Sequence, residues 1–149
     1  MKILRATKEH ISLIAPLFDA YRIFYKQSSD LAGAKSFLTK RMEANESILF
    51  LAMDKNSAVG FTQLYTTFSS VSMESFYILN DLYVVPNYRG KGIGEALLNK
   101  AKEQCKQMNY KGIGLETSSD NPAQQLYEKL DWQKDLEHYH YFWTAPKPY

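Results

Sequence analysis

One stretch limits what this chain can fold into more than any other: Leu79-Asn-Asp-Leu-Tyr-Val-Val-Pro-Asn-Tyr-Arg-Gly-Lys-Gly-Ile-Gly-Glu-Ala-Leu-Leu98. Leu82, Tyr83, Val84 and Val85 form an apolar, β-branched run that predicts a strand. Pro86 has no N–H to give a sheet ladder and ends that strand. Arg89, Gly90, Lys91, Gly92, Ile93 and Gly94 follow, and good helix formers continue from Glu95 to about Met108. A strand, a glycine-rich basic turn and a helix start together make an anion site. Glycines let the backbone turn tightly and bare its N–H groups, and the helix N-terminus adds partial positive charge. Arg89 and Lys91 add full charges beside those donors. The guest that suits such a turn is a phosphate or pyrophosphate; the plainer reading is a surface turn with no ligand.

Spacing sorts the known phosphate loops. A Walker A loop needs Gly-x-x-x-x-Gly-Lys-Ser/Thr, but Lys91 precedes Gly92 instead of following the last glycine. A dinucleotide fingerprint needs Gly-x-Gly-x-x-Gly/Ala, and the third position falls on Glu95 counted from Gly90 and on Leu97 counted from Gly92. Glu116 stands about 20 residues on, where a ribose-binding acid would sit, which keeps a dinucleotide reading open. Arg89-x-x-Gly92-x-Gly94, after a strand ending in Val-Val-Pro, resembles the acetyl-coenzyme A pyrophosphate loop of the GNAT superfamily of N-acetyltransferases. The resemblance implies that Arg89, Gly90, Lys91, Gly92, Ile93 and Gly94 hold acetyl-CoA (coenzyme A) as a co-substrate. It also implies that backbone groups of Leu82, Tyr83 and Val84 pair with the pantetheine arm, one N–H polarising the thioester carbonyl.

The length, 149 residues, predicts one domain, 1–149, large enough to bury a core. Residues 2–6 alternate weakly and predict a short strand. Ile14, Leu17, Phe18, Tyr21, Phe24 and Tyr25 recur at helical steps, and Ser29 or Asp30 caps a second helix carrying Phe37, Leu38, Arg41 and Met42. Residues 48–53 and 58–68 flank the turn Asp54-Lys-Asn-Ser57 as a hairpin, and a long strand covers 74–85. After the helix of the glycine loop come a strand at 112–117, a short helix with Ala123, Leu126, Tyr127 and Leu130 on one face, and an aromatic strand at 139–143. The class is therefore α/β, with a mixed, mostly antiparallel sheet, flanking helices and one central β-α-β unit. This is the order that a GNAT-like fold implies. It opposes the dinucleotide reading, which wants successive parallel crossovers.

Asn121-Pro-Ala-Gln-Gln-Leu-Tyr-Glu-Lys-Leu-Asp-Trp132 is a second resemblance, to the superfamily's Asn-x-x-Ala-x-x-Leu-Tyr-Glu-Lys-Leu-Gly-Phe, with Asp131 in place of the glycine. Tyr127 resembles the tyrosine that protonates the departing coenzyme A sulfur, a fitting task for a phenol of ordinary pKa near ~10. Its structural reading is a core aromatic on a helix face. Asn121 resembles the residue that holds the pantetheine or orders water; it also suits a helix cap before Pro122. Asp81 and Glu116 are the carboxylates on strands flanking the expected cleft, and either could take the proton of the amine. Bulk water accepting from an already neutral amine is the third route.

Tyr21 and Tyr25, one turn apart on the first helix, with Glu116 and the Tyr139, Tyr141, His138 and His140 of the last strand, suit an alkylammonium group through cation–π and ionic contacts. A small amine, polyamine or amino-acid derivative is the favoured acceptor, with a peptide lysine or N-terminus next. The same aromatics could instead be core or homodimer interface. Net charge is only +2 and no basic stripe occurs, which excludes a nucleic-acid partner. No apolar run approaches membrane-spanning length, and no third ligand joins His138-x-His140 to make a metal site. The single cysteine, Cys105, forms no internal disulfide and fits a reducing, cytoplasmic compartment. Two functions stand: a direct-transfer N-acetyltransferase, and a non-catalytic acyl-CoA binding or sensing module on the same fold.

Overall fold

A computed structural model describes residues 1–148; Tyr149, the last residue of the expected domain, lies outside the described residues. Apolar alternation builds the sheet first. In β2 (Ser47–Asp54), Leu49 and Leu51 face one way and Phe50 and Ala52 the other, and all four are buried. A tight turn with Lys55 at φ 55° returns the chain into β3 (Ser57–Ser69), which pairs antiparallel with both β2 and β4 (Glu74–Val84). β1 (Lys2–Arg5) adds antiparallel to the outer side of β2, and β5 (Ile113–Gly114) adds parallel to β4. The order is β1-β2-β3-β4-β5, a five-stranded mixed sheet.

Helices cover both faces. α1 (Ile11–Phe24) turns Ile14, Leu17 and Phe18 inward at helical spacing, and α2 (Leu31–Glu43) adds Ala34 and Leu38; this layer packs on Leu49, Leu51 and Phe61. α3 (Ile93–Gln107) buries Ile93, Leu97, Leu98, Ala101 and Cys105 and crosses from β4 to β5, giving the one β-α-β unit. Asp30 caps α2, its Oδ1 accepting from Gly33 N–H at 2.9 Å. The expected α/β class, mixed sheet and single crossover are all present.

The chain divides into two compact units, Met1–Glu116 and the part from Thr117 onward. The first holds the sheet and α1 to α3. The second holds α4 (Ala123–Lys129) and the segment that follows it. Three sequence expectations need correction. The strand expected at 112–117 is only Ile113–Gly114. Phe24 and Tyr25 lie past the buried face of α1 and are 60% and 43% exposed. Residues 139–143 form no strand, because aromatic alternation needs a neighbouring ladder to become one and their own unit contains none among the described residues. Tyr139 and Tyr141 are about nine-tenths exposed (89% and 90%) and wall no pocket there.

Candidate active site

β4 positions most of the site, through one irregularity. Gln63 pairs with Asp81 and Leu64 with Leu79, so Asn80 is an extra residue, a β-bulge. Its effect is to reverse the faces. Tyr77 points to the α3 side, where its hydroxyl accepts from Gln104 Nε2, whereas Asp81 and Tyr83, at the same parity in sequence, point to the α1 side. The bulge carbonyl is held: Tyr21 Oη donates to Asn80 O at 3.0 Å.

Asp81 is the floor of a cavity of about 370 Å³. Phe18, Tyr21, Phe37 and Tyr65 supply aromatic walls, and Arg22, Asp30 and Asn80 supply polar ones. Asp81 is 1% exposed, yet no cation pairs with it among the described residues. Its carboxyl accepts from Gln63 Nε2 at 2.5 Å and from Asn80 Nδ2 at 2.8 Å, and the Tyr21 hydroxyl beside it also favours the ionised form. Burial pushes the carboxyl above its usual range, and these donors only partly oppose that. Gln63 Oε1 has no hydrogen-bond partner among the described residues. Burial, helped by the charge of Asp81, raises the Tyr65 phenol, so it stays a neutral donor. By contrast Asp19, just behind on α1, is held below its usual range by Asp30 N–H and Ser29 Oγ at 2.8 and 2.6 Å, and then by Arg22.

Past Asp81 the outer edge of β4 opens, because β5 pairs only with Tyr77 and Ile78. Val84 O accepts from Arg89 Nε at 2.8 Å on that open side. Two-residue alternation aims the N–H and C=O of Leu82 the same way, so a ligand laid along β4 meets bare backbone groups. A 3₁₀ turn, Pro86–Tyr88, then leads into the glycine loop. Gly90 and Gly92 sit at φ 75° and 84°, a left-handed conformation that other residues adopt only with strain. Ile93 and Gly94, expected in the loop, are instead the first residues of α3. No side chain caps that helix, and its first intrahelical bond runs from Ala96 N–H to Gly92 O, so the amides of Ile93 and Gly94 point out of the helix start toward an anion. Arg89 lies 5.5 Å over the Tyr83 ring and Lys91 5.0 Å over the Tyr88 ring. These residues fit a pyrophosphate by charge and by donors.

Tyr25 packs edge-on against Tyr21, ring centres 5.0 Å apart, and supports the cavity without lining it. Glu116 is exposed beyond β5 and does not line the cavity. In the second unit, Asn121 Oδ1 accepts from Ala123 N–H at 2.9 Å one residue before the N-cap, Pro122, of α4, and the half-buried Tyr127 ring lies 6.0 Å from Trp132. Gln63, Tyr65, Asn80 and Arg22 were not found by sequence reasoning. Only a polar Gln63 inside an apolar strand run was a local signal. Cys105 is buried and free, and burial raises its thiol, which makes it a poor nucleophile. No group of three or more metal-ligating side chains occurs among the described residues, and no described helix is long and apolar enough to cross a membrane.

The family model for the acetyltransferase (GNAT) family matches residues 14–132. The chain belongs to this family. Among GNAT relatives, the N-acetyltransferase YhfO of Bacillus subtilis (strain 168), itself uncharacterized, is 46% identical over 98% of this chain and 99% of its own length. A probable acetyltransferase of Haemophilus influenzae is 33% identical over 86% of this chain and 97% of its own. The crystal structure of a probable acetyltransferase, 37% identical, superposes with a TM-score of 0.92 over 99% of both chains. Two more distant proteins differ in what their names declare. One, from Clostridium acetobutylicum, was crystallised with acetyl-CoA (16% identity, TM-score 0.77, 95% of each chain) and shows the fold alone. The other is a ribosomal protein bS18 alanine N-acetyltransferase of Haemophilus influenzae, 30% identical over 76% of this chain and 72% of its own.

Proposed function

We propose that residues 1–149 act as one acetyl-CoA-dependent N-acetyltransferase domain, working in the cytoplasm and acetylating a small primary amine by direct transfer. The family match runs through both units, which supports a single working domain. One observation carries the acceptor assignment: a buried carboxyl, Asp81, held by neutral donors alone, at the floor of an aromatic cavity. Such a group lacks a counter-cation, and an incoming ammonium supplies one. At about 370 Å³ the cavity lies near the small end of the roughly 300–1,000 Å³ usual for ligand pockets, which favours a small amine over a folded polypeptide. Arg22 and Asp30 add one charge of each sign, as a polyamine or amino-acid derivative would use. The relative named for a ribosomal protein alanine makes a peptide N-terminus the next acceptor to try.

Acetyl-CoA, when bound, supplies the activated acetyl thioester. Arg89, Lys91 and the amides opening α3 hold its pyrophosphate, and the open edge around Leu82 to Val84 receives its arm. Ionised Asp81 takes the ammonium proton, leaving a neutral nitrogen to attack; its raised pKa makes it a stronger base than an ordinary carboxylate. The C–N bond forms as the C–S bond breaks; the Tyr127 phenol, assigned by resemblance, gives its proton to the leaving sulfur, and the second nitrogen proton, shed as the amide forms, restores the phenol by way of water.

A thiol-release assay with acetyl-CoA against polyamines, amino acids, aminoglycosides and lysine-bearing peptides tests this reading. Turnover with a small amine, reduced in Tyr127→Phe, is expected. Silence across the panel while acetyl-CoA still raises the melting temperature would overturn catalysis in favour of a binding or sensing module.

A further inference from the structure

The stretch from Pro86 to Gly92, between β4 and α3, is exposed except for Tyr88, which is half-buried. Its hydroxyl donates to Asp54 Oδ2 at 3.0 Å. Asp54 ends β2, so the bond reaches past β3 to a strand that β4 does not pair with. The other ties of the loop stay local. Tyr88 N–H and Arg89 N–H return to Val85 O and Pro86 O, and the Arg89 side chain to Val84 O. Lys91 stands over the Tyr88 ring, Nζ 5.0 Å from its centre. Gly90 and Gly92 flank Lys91, and glycine restricts a chain least, so the backbone alone does not fix where the ammonium sits. The ring does. A phenol whose O–H donates to a carboxylate gains electron density, and an electron-rich ring face holds a cation more firmly. No cation pairs with Asp54, and no carboxylate with Lys91, among the described residues. Asp54 also keeps the phenol above its usual pKa range, by the bond first and by its charge second, so Tyr88 stays a donor.

We propose, resting on the acetyl-CoA reading above, that Asp54 is a positioning residue for the anion-binding loop. Its carboxylate fixes the Tyr88 ring, and the ring sets the Lys91 ammonium where a pyrophosphate binds. Asp54 touches no ligand itself; it acts through the phenol, from the far end of a neighbouring hairpin.

Titration calorimetry of the full chain with coenzyme A tests this. Asp54→Asn is compared with the unaltered chain, and the same comparison is repeated in a Lys91→Met background. A cation on an exposed ring contributes modestly, so Asp54→Asn is expected to raise Kd roughly twofold to fivefold while Lys91 is present. With Lys91→Met in place, the same substitution should leave Kd unchanged. An equal loss in both backgrounds overturns the proposal, because Asp54 would then act on the loop or the fold without Lys91. An unchanged Kd with Lys91 present overturns it too. If the unaltered chain fails to take up coenzyme A, the acetyl-CoA reading itself falls, and the role of Asp54 with it. Should far-UV spectra show Asp54→Asn unfolded, Tyr88→Phe, which keeps the ring and loses the bond, is titrated in the same two backgrounds and the same outcomes decide.

Discussion

The two ends of the outer half of β4 make opposite electrostatic environments a few residues apart. At Asp81 a carboxyl is sealed from water and surrounded by neutral donors, so its protonation state is easily moved. Around Arg89 to Gly94 the cations are exposed and no side chain caps the start of α3. The contrast follows from the tasks. A carboxylate that takes a proton from an ammonium gains basicity by losing solvation, because burial lifts a carboxyl pKa. A group that holds a polyanion must stay open, since a multiply charged phosphate gains from several donors at once and has to leave again. One strand serves both, since the bulge turns Asp81 inward before the chain reaches the loop.

Substitutions can break or sharpen that contrast. Asp81→Asn is expected to lower kcat/KM toward the amine by roughly 10²–10⁴ while leaving the thermal shift produced by acetyl-CoA intact. It carries a stability signature too. A carboxyl whose folded pKa is raised binds more protons folded than unfolded, so the protein loses stability as pH climbs from the ordinary value of 3.8 through the folded pKa. Melting curves across that range should slope for the unaltered chain and flatten for Asp81→Asn; equal slopes would remove the buried acid from the account. Arg89→Ala is next, raising KM for acetyl-CoA roughly tenfold to a hundredfold, as expected for losing charge-assisted bonds of about 1.5–3 kcal/mol, with little change in kcat. A fall in kcat alone would mean the loop acts on the chemistry, and the division of labour would fail.

Gly92→Ala places a side chain at φ 84° with nothing within 4 Å of its Cβ, so only backbone strain is felt. About 1–2 kcal/mol is expected, a fall of a few degrees in Tm, with saturated turnover unchanged. Tyr21→Phe is the smallest, about 0.5–1.5 kcal/mol for the lost bond to the Asn80 carbonyl. Its informative readout is the pH profile. The Tyr21 hydroxyl holds the Asp81 pKa down, so removing it should move the acidic limb of kcat/KM to higher pH. A limb that does not move would detach Tyr21 from the acid.

The legible and illegible parts divide along the same line. The glycine loop could be read from adjacent residues, because Arg89, Gly90, Gly92 and the start of α3 are set by local backbone rules. Only the helix start moved, Ile93 and Gly94 joining it. The cavity could not be read, since Gln63, Tyr65, Asn80 and Arg22 come from β3, β4 and α1 and meet only through sheet register and helix packing. Tyr21 and Tyr25 share a helix face in sequence, but α1 ends between them and only Tyr21 reaches the cavity. Gly60 is a further case. A Cβ there would stand 2.9 Å from the Tyr83 carbonyl and 3.4 Å from Ile93 and Leu97, a close approach of β3 to β4 and α3 that nothing local announces.

The extra residue at Asn80 amounts to a frame shift written in the backbone. Upstream, Tyr77 is read into the layer under α3; downstream, the same parity is read into the layer under α1. Deleting Asn80 would restore a regular ladder with Gln63 still opposite Asp81 and Leu64 still opposite Leu79, so Asp81 and Tyr83 would keep the α1 side. What would be lost is the carbonyl that Tyr21 holds and the Nδ2 that donates to Asp81. The inserted residue thus lets two neighbours in sequence, Asn80 and Asp81, both reach the cavity, which a regular strand would forbid.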